Sequence, residues 1–319
     1  MKVIDNLQGY RIEGESILTI GAFDALHLGH QALIGKVVER ARQTGRQSGL
    51  VTFYPRPAQV LFPDRPIQYV TTPGEKAVLL EQLGMDVMVL IQFTLELANQ
   101  PAEQFIRLLV DHLRPAEIWI GADFMFGRDR EGNVDSMQRF GQELGFDVHV
   151  LSPVQWDGRT ISSSRIRKLL SEGAVEQAAM LLGRYYSLAG EVVSGYQRGR
   201  DLGFPTANLE VRQERALPRD GVYACFVRLG AERFPAVANL GIRPTFDNGA
   251  RVLEVYLIDM DMSLYGCDLV VEFVRWMRPE SRFESVDELI EQMHADVAGA
   301  RRLLHEARKM ERRENRADE

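Results

Sequence analysis

The spacing of hydrophobic and polar positions changes once along the chain. In the first half, short apolar runs alternate with stretches whose apolar residues recur every three or four positions. Ile17 to Ile20 reads as a buried strand. Ala32, Leu33, Val37, Val38 and Ala41 follow at helical spacing, with Gly45 as a stop. Further strands are predicted at Leu50 to Tyr54, Val87 to Ile91, Glu117 to Gly121 and Asp147 to Leu151. Between them, Thr71-Thr72-Pro73-Gly74-Glu75 has the form of a capped helix start running to Gly84. Two more helices are predicted over about 102–113 and 134–144. Strand and helix thus alternate five times, which argues for a parallel sheet whose ligands sit beyond the carboxyl ends of its strands.

After Gly183 the period falls to two, as in Ala189 to Val193, Val222 to Leu229 and Val252 to Ile258, with turns at Asp220-Gly221 and Asn248-Gly249. A small antiparallel barrel or sandwich is expected there. The tail returns to helix, with Leu289, Ile290, Met293, Val297, Ala300 and Leu304 as its apolar stripe. Beyond Arg308 the crowded charges read as a solvated or frayed end. The expected division is residues 1–183 as an α/β domain and 184–319 as a β-domain with a C-terminal helix.

Composition narrows the class. At 319 residues, 45% hydrophobic and 26% charged, the chain is long enough for two cores and has the balance of a soluble protein. A net charge of −7 gives no electrostatic reason to expect a nucleic-acid partner. Two cysteines, with no leader sequence and no long apolar run, fit a reducing cytoplasm and speak against a disulfide framework or membrane span. Both cysteines are expected as small core residues on strands.

The densest chemistry lies at Gly21-Ala-Phe23-Asp24-Ala-Leu-His27-Leu-Gly29-His30, where a strand gives way to a helix. First-turn N–H groups lack intrahelical partners and carry partial positive charge, so an anion docks there. Gly29 admits close backbone approach, and the imidazoles of His27 and His30, three apart, can donate to oxygens that gain charge as a phosphoryl bond breaks. Two bland readings compete: a structural pair of histidines, or zinc ligation with Asp24, which lacks a third strong ligand. The loop Gly121 to Gly127 follows another strand, making Asp123 a polar candidate or simply a solvated loop residue. Ser162, Ser163 and Ser164 at a helix start, with Arg165 and Arg167, form a donor-rich turn suited to a leaving pyrophosphate; capping alone accounts for one or two of the hydroxyls. The proline-broken segment after Tyr54 carries Phe53, Tyr54 and Phe62, which either hold a ring or merely pack.

In the second half, Gly195 to Asn208 is rich in glycine, including Gly199 and Gly203, with Arg200 and Pro205, but is neither a P-loop nor a dinucleotide fingerprint. Thr206 and Asn208, two apart on an expected strand, share a face and offer hard oxygens to Mg²⁺. Glu254 lies between Leu253 and Val255 on the opposite face from both. It is either a solvated carboxylate or, facing a hydroxyl, a general base.

The His-x-Gly-His sequence resembles the nucleotidylyltransferase signature. Taken in order, Gly21-x-Phe-Asp-x-x-His-x-Gly-His30, Gly121-x-Asp-Phe-x-Phe-Gly127, Ser162-Ser-Ser-Arg-Ile-Arg167, Gly199-Arg-x-Leu-Gly-Phe-Pro-Thr-Ala-Asn208, Asp220-Gly-Val-Tyr-Ala224, Asn239-Leu-Gly-Ile-Arg-Pro-Thr-Phe246 and Leu253-Glu-Val-Tyr256 resemble the bacterial bifunctional riboflavin kinase/FMN adenylyltransferases, also called FAD synthetases. The resemblance implies a Rossmann-like domain that adenylylates FMN to FAD and a β-barrel that phosphorylates riboflavin to FMN, both with ATP and Mg²⁺. It implies that His27 and His30 bind ATP phosphates, assisted by Ser163, Ser164 and Arg167. In the kinase, it implies that Thr206 and Asn208 hold Mg-ATP and that Glu254 deprotonates the ribityl 5′-hydroxyl. Arg278-x-Glu280-x-x-Phe283 matches an element near the flavin. Ala22, Ala25, Arg56 and Ser194 depart from the family pattern, Ala25 replacing a glycine beside the phosphate turn. The expected partners are small molecules, with no nucleic acid or membrane and a monomeric or weakly associating chain. Two alternatives stand beside this: a nucleotidylyltransferase for a non-flavin acceptor, and a flavin-binding regulator without turnover.

Overall fold

Six parallel strands make the first sheet: β1 (Lys2–Ile4), β2 (Ser16–Ile20), β3 (Gln47–Tyr54), β4 (Val87–Gln92), β5 (Pro115–Gly121) and β6 (Asp147–Leu151). They lie in the order β1-β4-β3-β2-β5-β6. The computed structural model describes all residues except 66–67, 194–202, 213, 243–250, 261, 263 and 318–319, and the side chains of 314–317. Contacts divide the chain into two compact units, Met1–Ser163 and Ser164–Glu319.

Every residue of β2 is buried, which is why it reads as an unbroken apolar run rather than as an alternating one. Its side chains serve both faces. Ile17 joins Ile34 and Val37 of α1 (Leu28–Thr44) and Leu80 of α3 (Pro73–Gln82). Leu18 and Ile20 join Ile106 and Leu109 of α5 (Ala102–Leu113) and Met137 of α6 (Val134–Leu144). From β2 the chain runs to β3 and β4 on one side and later to β5 and β6 on the other. The switch point therefore lies between β2 and β5, and the loops after these two strands open there.

Some elements differ from the periodicity reading. Strand β1 was not expected. The segment after Tyr54 holds a short helix, α2 (Pro57–Leu61), with Pro57 at its first position, and α4 (Leu95–Ala98) precedes α5. A hairpin of β7 (Gln155–Trp156) and β8 (Arg159–Thr160) turns at Asp157-Gly158, both with positive φ.

The second unit takes in α8 (Val175–Leu182) and nearly all of α7 (Ser163–Ser171), and is built on a closed antiparallel barrel. Its strands β9 (Tyr186–Val193), β10 (Ala207–Glu210), β11 (Gly221–Leu229), β12 (Glu232–Ile242), β13 (Arg251–Leu257) and β14 (Asp268–Arg278) run in the order β10-β13-β12-β11-β14-β9. Alternation along them separates a buried interior set, such as Tyr223, Leu253, Val255 and Phe273, from residues on the outer face. There Ala224, Phe226 and Val274 pack against Ala300, Leu304 and Ala307 of α9 (Val286–Ala317).

Three expectations need correction. Cys225 is buried on β11, but Cys267 is only half-buried and precedes β14 in a turn closed by its N–H to the Leu264 carbonyl. Thr206 lies just before β10 rather than on it. The third is corrected in part: beyond Arg308 the described residues Lys309, Met310, Arg312 and Arg313 are exposed as read, but α9 continues to Ala317 and Glu311 is half-buried, accepting from the Arg233 guanidinium at 3.0 and 3.1 Å.

Candidate active sites

The turn between β2 and α1 is held by its own side chains and by neighbouring elements. Asp24 is buried. Its Oδ1 accepts from the backbone N–H groups of Ala25 (3.0 Å), Val70 (3.0 Å) and Thr71 (3.2 Å), while its Oδ2 takes the Arg56 guanidinium at 2.7 Å. The geometry thus gives Asp24 a structural task, fastening residues 70–71 to the turn. Three turn carbonyls are also engaged. Lys76 Nζ donates to Ala22 O (2.7 Å), Ser163 Oγ to Asp24 O (2.7 Å) and Gln31 Nε2 to Leu26 O (2.8 Å). Phe23, Ala25 and Leu26 all have positive φ, +72° at Ala25, a conformation that a glycine would adopt without strain.

His27 is the N-cap of α1, its Nδ1 accepting from the His30 N–H at 3.3 Å. A neutral ring that accepts at Nδ1 carries its hydrogen on Nε2. The His30 ring stacks on His27 with centroids 3.7 Å apart and meets the Phe23 ring edge-on. Burial, then the His27 ring and the Lys76 ammonium, hold the His30 pKa well below its usual value, so His30 is a neutral imidazole at physiological pH. Its Nδ1 is buried with no hydrogen-bond partner. A Cβ at Gly29 would stand 3.2 Å from the His27 ring, so the glycine keeps the cap in place. Gly21 lies in the same turn, and Asp123 is exposed in the loop after the neighbouring β5. Ser162 precedes α7, and Ser164, Arg165 and Arg167 lie on its first turns, with Arg167 donating to Ser164 Oγ at 3.5 Å.

In the barrel unit a cavity of about 340 Å³ is lined by Thr206, Asn239, Glu254, Tyr256, Arg278, Glu280, Phe283 and Asp296, with Leu289 and Met293 of α9. Five of these, Thr206, Glu254, Arg278, Glu280 and Phe283, were singled out in the sequence. Glu254 stands opposite Asn208 on β10 and Asn239 on β12, a carboxylate between two amides across three strands. Asn239 Nδ2 donates to Glu280 Oε1 at 3.1 Å. A Cβ at Gly241 would lie 2.2 Å from that same oxygen, so only a glycine there lets Glu280 close onto the strand. Arg278 forms a forked pair with the buried Asp296, its Nε 2.9 Å and its Nη2 2.7 Å from the carboxylate. Gly203 and Pro205 are exposed around Phe204, whose buried ring meets Tyr256 and His294. Gly199, Arg200 and Ser194 lie outside the described residues, as do the Asn248-Gly249 turn and residues 243–246.

Comparison with known proteins matches the two parts of the chain to two different families. The FAD synthetase family model matches residues 10–165, and the riboflavin kinase model matches residues 182–304. A bifunctional riboflavin kinase/FMN adenylyltransferase of Pseudomonas fluorescens is 36% identical over 311 residues, covering 95% of this chain and 98% of that protein. Its Escherichia coli K12 counterpart is 38% identical over 303 residues, covering 94% and 96%. The chain belongs to the bifunctional riboflavin kinase/FMN adenylyltransferase family. It carries both the FAD synthetase and the riboflavin kinase domain. A crystal structure named as a macrolide-efflux protein of Streptococcus pneumoniae superposes with a TM-score of 0.87 at 30% identity, covering 94% of this chain and 98% of that one. Among the described residues of this family member no helix is long and apolar enough to cross a membrane.

Sequence reasoning missed several residues that these domains place at the sites. Lys76 and Thr52 lie beneath the β2–α1 turn, and Asp296 and Tyr256 line the barrel cavity. The signal for Lys76 was a lysine one turn before Leu80 on the buried face of α3. Phe53 and Phe62 diverge: Phe53 packs against Phe93 and Phe105, whereas Phe62 is exposed with the Arg65 guanidinium over its ring.

Proposed function

We propose that FMN is made in the barrel cavity and converted to FAD at the β2–α1 turn, with the roles divided as follows. In the kinase, Glu254 takes the proton of the riboflavin 5′-hydroxyl as its oxygen attacks the γ-phosphorus of ATP and ADP leaves. Asn208 and Asn239 flank the carboxylate and orient it. Arg278, Glu280 and Phe283 form the flavin side of the cavity, the forked pair with Asp296 fixing the guanidinium. Thr206 and Asn208 supply the hard oxygen donors that Mg²⁺ prefers, and the ion when bound neutralises phosphate charge. Gly199, Arg200, Gly203 and Pro205 complete the ATP side.

In the adenylyltransferase an FMN phosphate oxygen attacks the α-phosphorus and pyrophosphate leaves, with no covalent enzyme intermediate. The N-terminus of α1 and the hydrogens of the His27 and His30 rings face the triphosphate, where charge on the phosphoryl oxygens grows. Ser162, Ser163, Ser164, Arg165 and Arg167 receive the departing pyrophosphate, and Asp123 contacts the nucleotide. Domain limits of 1–183 and 184–319 are the working division. The protein acts in the cytoplasm as a monomer or weak oligomer.

The observation that carries the reading is the convergence of Thr206, Glu254, Arg278, Glu280 and Phe283, from three separate stretches, on one cavity. The test is a chromatographic assay of flavins from riboflavin, ATP and Mg²⁺. His27→Ala with His30→Ala should stop FAD formation while FMN accumulates. Glu254→Ala should block FMN formation while added FMN is still adenylylated. Loss of both reactions in either folded variant contradicts the assignment.

A further inference from the structure

We propose that Lys76 is a positioning residue of the adenylyl-transfer site, holding the phosphate-facing turn in place through the Ala22 carbonyl. This rests on the assignment of FMN adenylylation to that turn. Lys76 is only 5% exposed, and its Nζ donates to Ala22 O at 2.7 Å and to Thr52 Oγ1 at 2.9 Å. Thr52 Oγ1 donates to the same carbonyl at 3.0 Å, closing a three-cornered network between β3, α3 and the turn. A buried ammonium is costly, and one turn later Leu80 fills the equivalent core position with a plain apolar side chain. A lysine is retained where its charge and donors act on something.

What it acts on is a strained backbone. Phe23, Ala25 and Leu26 adopt positive φ without being glycine, and such strain persists only where surrounding groups over-determine it. The Ala22 carbonyl is the first fixed point of that stretch. Asp24 O and Leu26 O, held by Ser163 and Gln31, are the next two. Turning these oxygens to protein donors directs the carbonyl dipoles away from an anion docking at the head of α1. The ammonium also adds positive charge beneath the site and contributes to keeping His30 neutral.

The charged and titratable groups that act with Lys76 are Asp24 after β2, Arg56 at the start of α2 and His30 at the start of α1. Burial pulls the Lys76 pKa down to about 8, the Asp24 carboxylate opposes this, and Arg56 adds to it. The charge under the turn is therefore lost as pH rises through about 8. FMN adenylylation should fall there, and riboflavin phosphorylation should not.

The test measures kcat and KM for ATP in FMN adenylylation by the full-length enzyme between pH 6 and 10, for wild type, Lys76→Arg and Lys76→Met. Riboflavin phosphorylation in the same preparations is the internal reference. The wild type should show an alkaline limb near pH 8 in kcat, and both variants should lack it. Lys76→Met should lose roughly 10²-fold in kcat with a smaller change in KM, and Lys76→Arg should recover part of that loss. A flat wild-type profile, a limb that persists in either variant, or wild-type turnover by Lys76→Met overturns the proposal. FAD formation at full rate by the His27→Ala/His30→Ala enzyme would instead overturn the site assignment beneath it.

Discussion

At the scale of single residues, small steric and protonic demands set the β2–α1 turn. Gly29→Ala would place a methyl 3.2 Å from His27 Cε1 and Nδ1 and push the ring off its cap. An expected loss of up to about 10²-fold in FMN adenylylation, with riboflavin phosphorylation unchanged, follows from misplacing by about an ångström a ring proposed to face the phosphates. Steady-state assays of both reactions check it. His30 gives a pH prediction. Its folded pKa lies well below 6.5, so as pH drops below that value the unfolded chain takes up a proton that the folded one refuses. The first unit should lose stability as pH falls from about 7 toward 5, and His30→Asn should flatten that slope in thermal unfolding. Both histidines were legible because their spacing and the strand before them are local features. The function of Lys76 was not, since it depends on a carbonyl 54 positions away that only the fold brings beneath it.

At the scale of elements, α9 supplies Leu289, Met293 and Asp296 to the wall of the barrel cavity. Its stripe divides in two: Ala300 and Leu304 are buried against the barrel, while Leu289 and Met293 stay half-exposed because they line the cavity. Ion pairs pin it at Asp296 to Arg278 and at Glu311 to Arg233. Removing the buried carboxylate in Asp296→Ala would leave Arg278 uncompensated beside the proposed flavin face. It should cost about 3 kcal/mol in denaturant unfolding and raise the KM for riboflavin. An unchanged KM with lowered stability would separate the helix's packing role from the cavity. The long helices and buried strands were legible because each repeats its pattern several times. Strand β1, with three residues, and α4, with four, are too short to show a period and exist because a neighbour pairs with or covers them. The β7–β8 hairpin did carry a signal, an Asp-Gly pair whose positive φ values suit a tight turn.

At the scale of the whole molecule, the change in hydrophobic period accompanies a change of architecture, from a parallel sheet covered by helices to a closed antiparallel barrel. The clusters around the parallel sheet draw on residues before 152, and the cluster under α9 draws only on residues from Tyr185 onward. The helices between them could not be apportioned from periodicity, since an amphipathic helix does not state which core it faces; α8 lies against β9 and β14, with Glu176 paired to Arg275 at 2.8 Å. Two compact units predict two unfolding transitions. Leu304→Ala removes a fully packed side chain from the barrel unit, at a cost of roughly 2–5 kcal/mol. For a unit of this size that lowers its melting midpoint by about 4–20 °C. In calorimetry the transition raised by riboflavin should move and the other should hold its place. Gly49→Ala is the converse probe, because its Cβ would meet Leu18 Cδ2 at 2.5 Å inside the parallel sheet and should lower only the transition that riboflavin leaves alone. If either substitution moves both transitions together, the halves unfold as one body, and the flavin made in one is released by a molecule whose stability is shared.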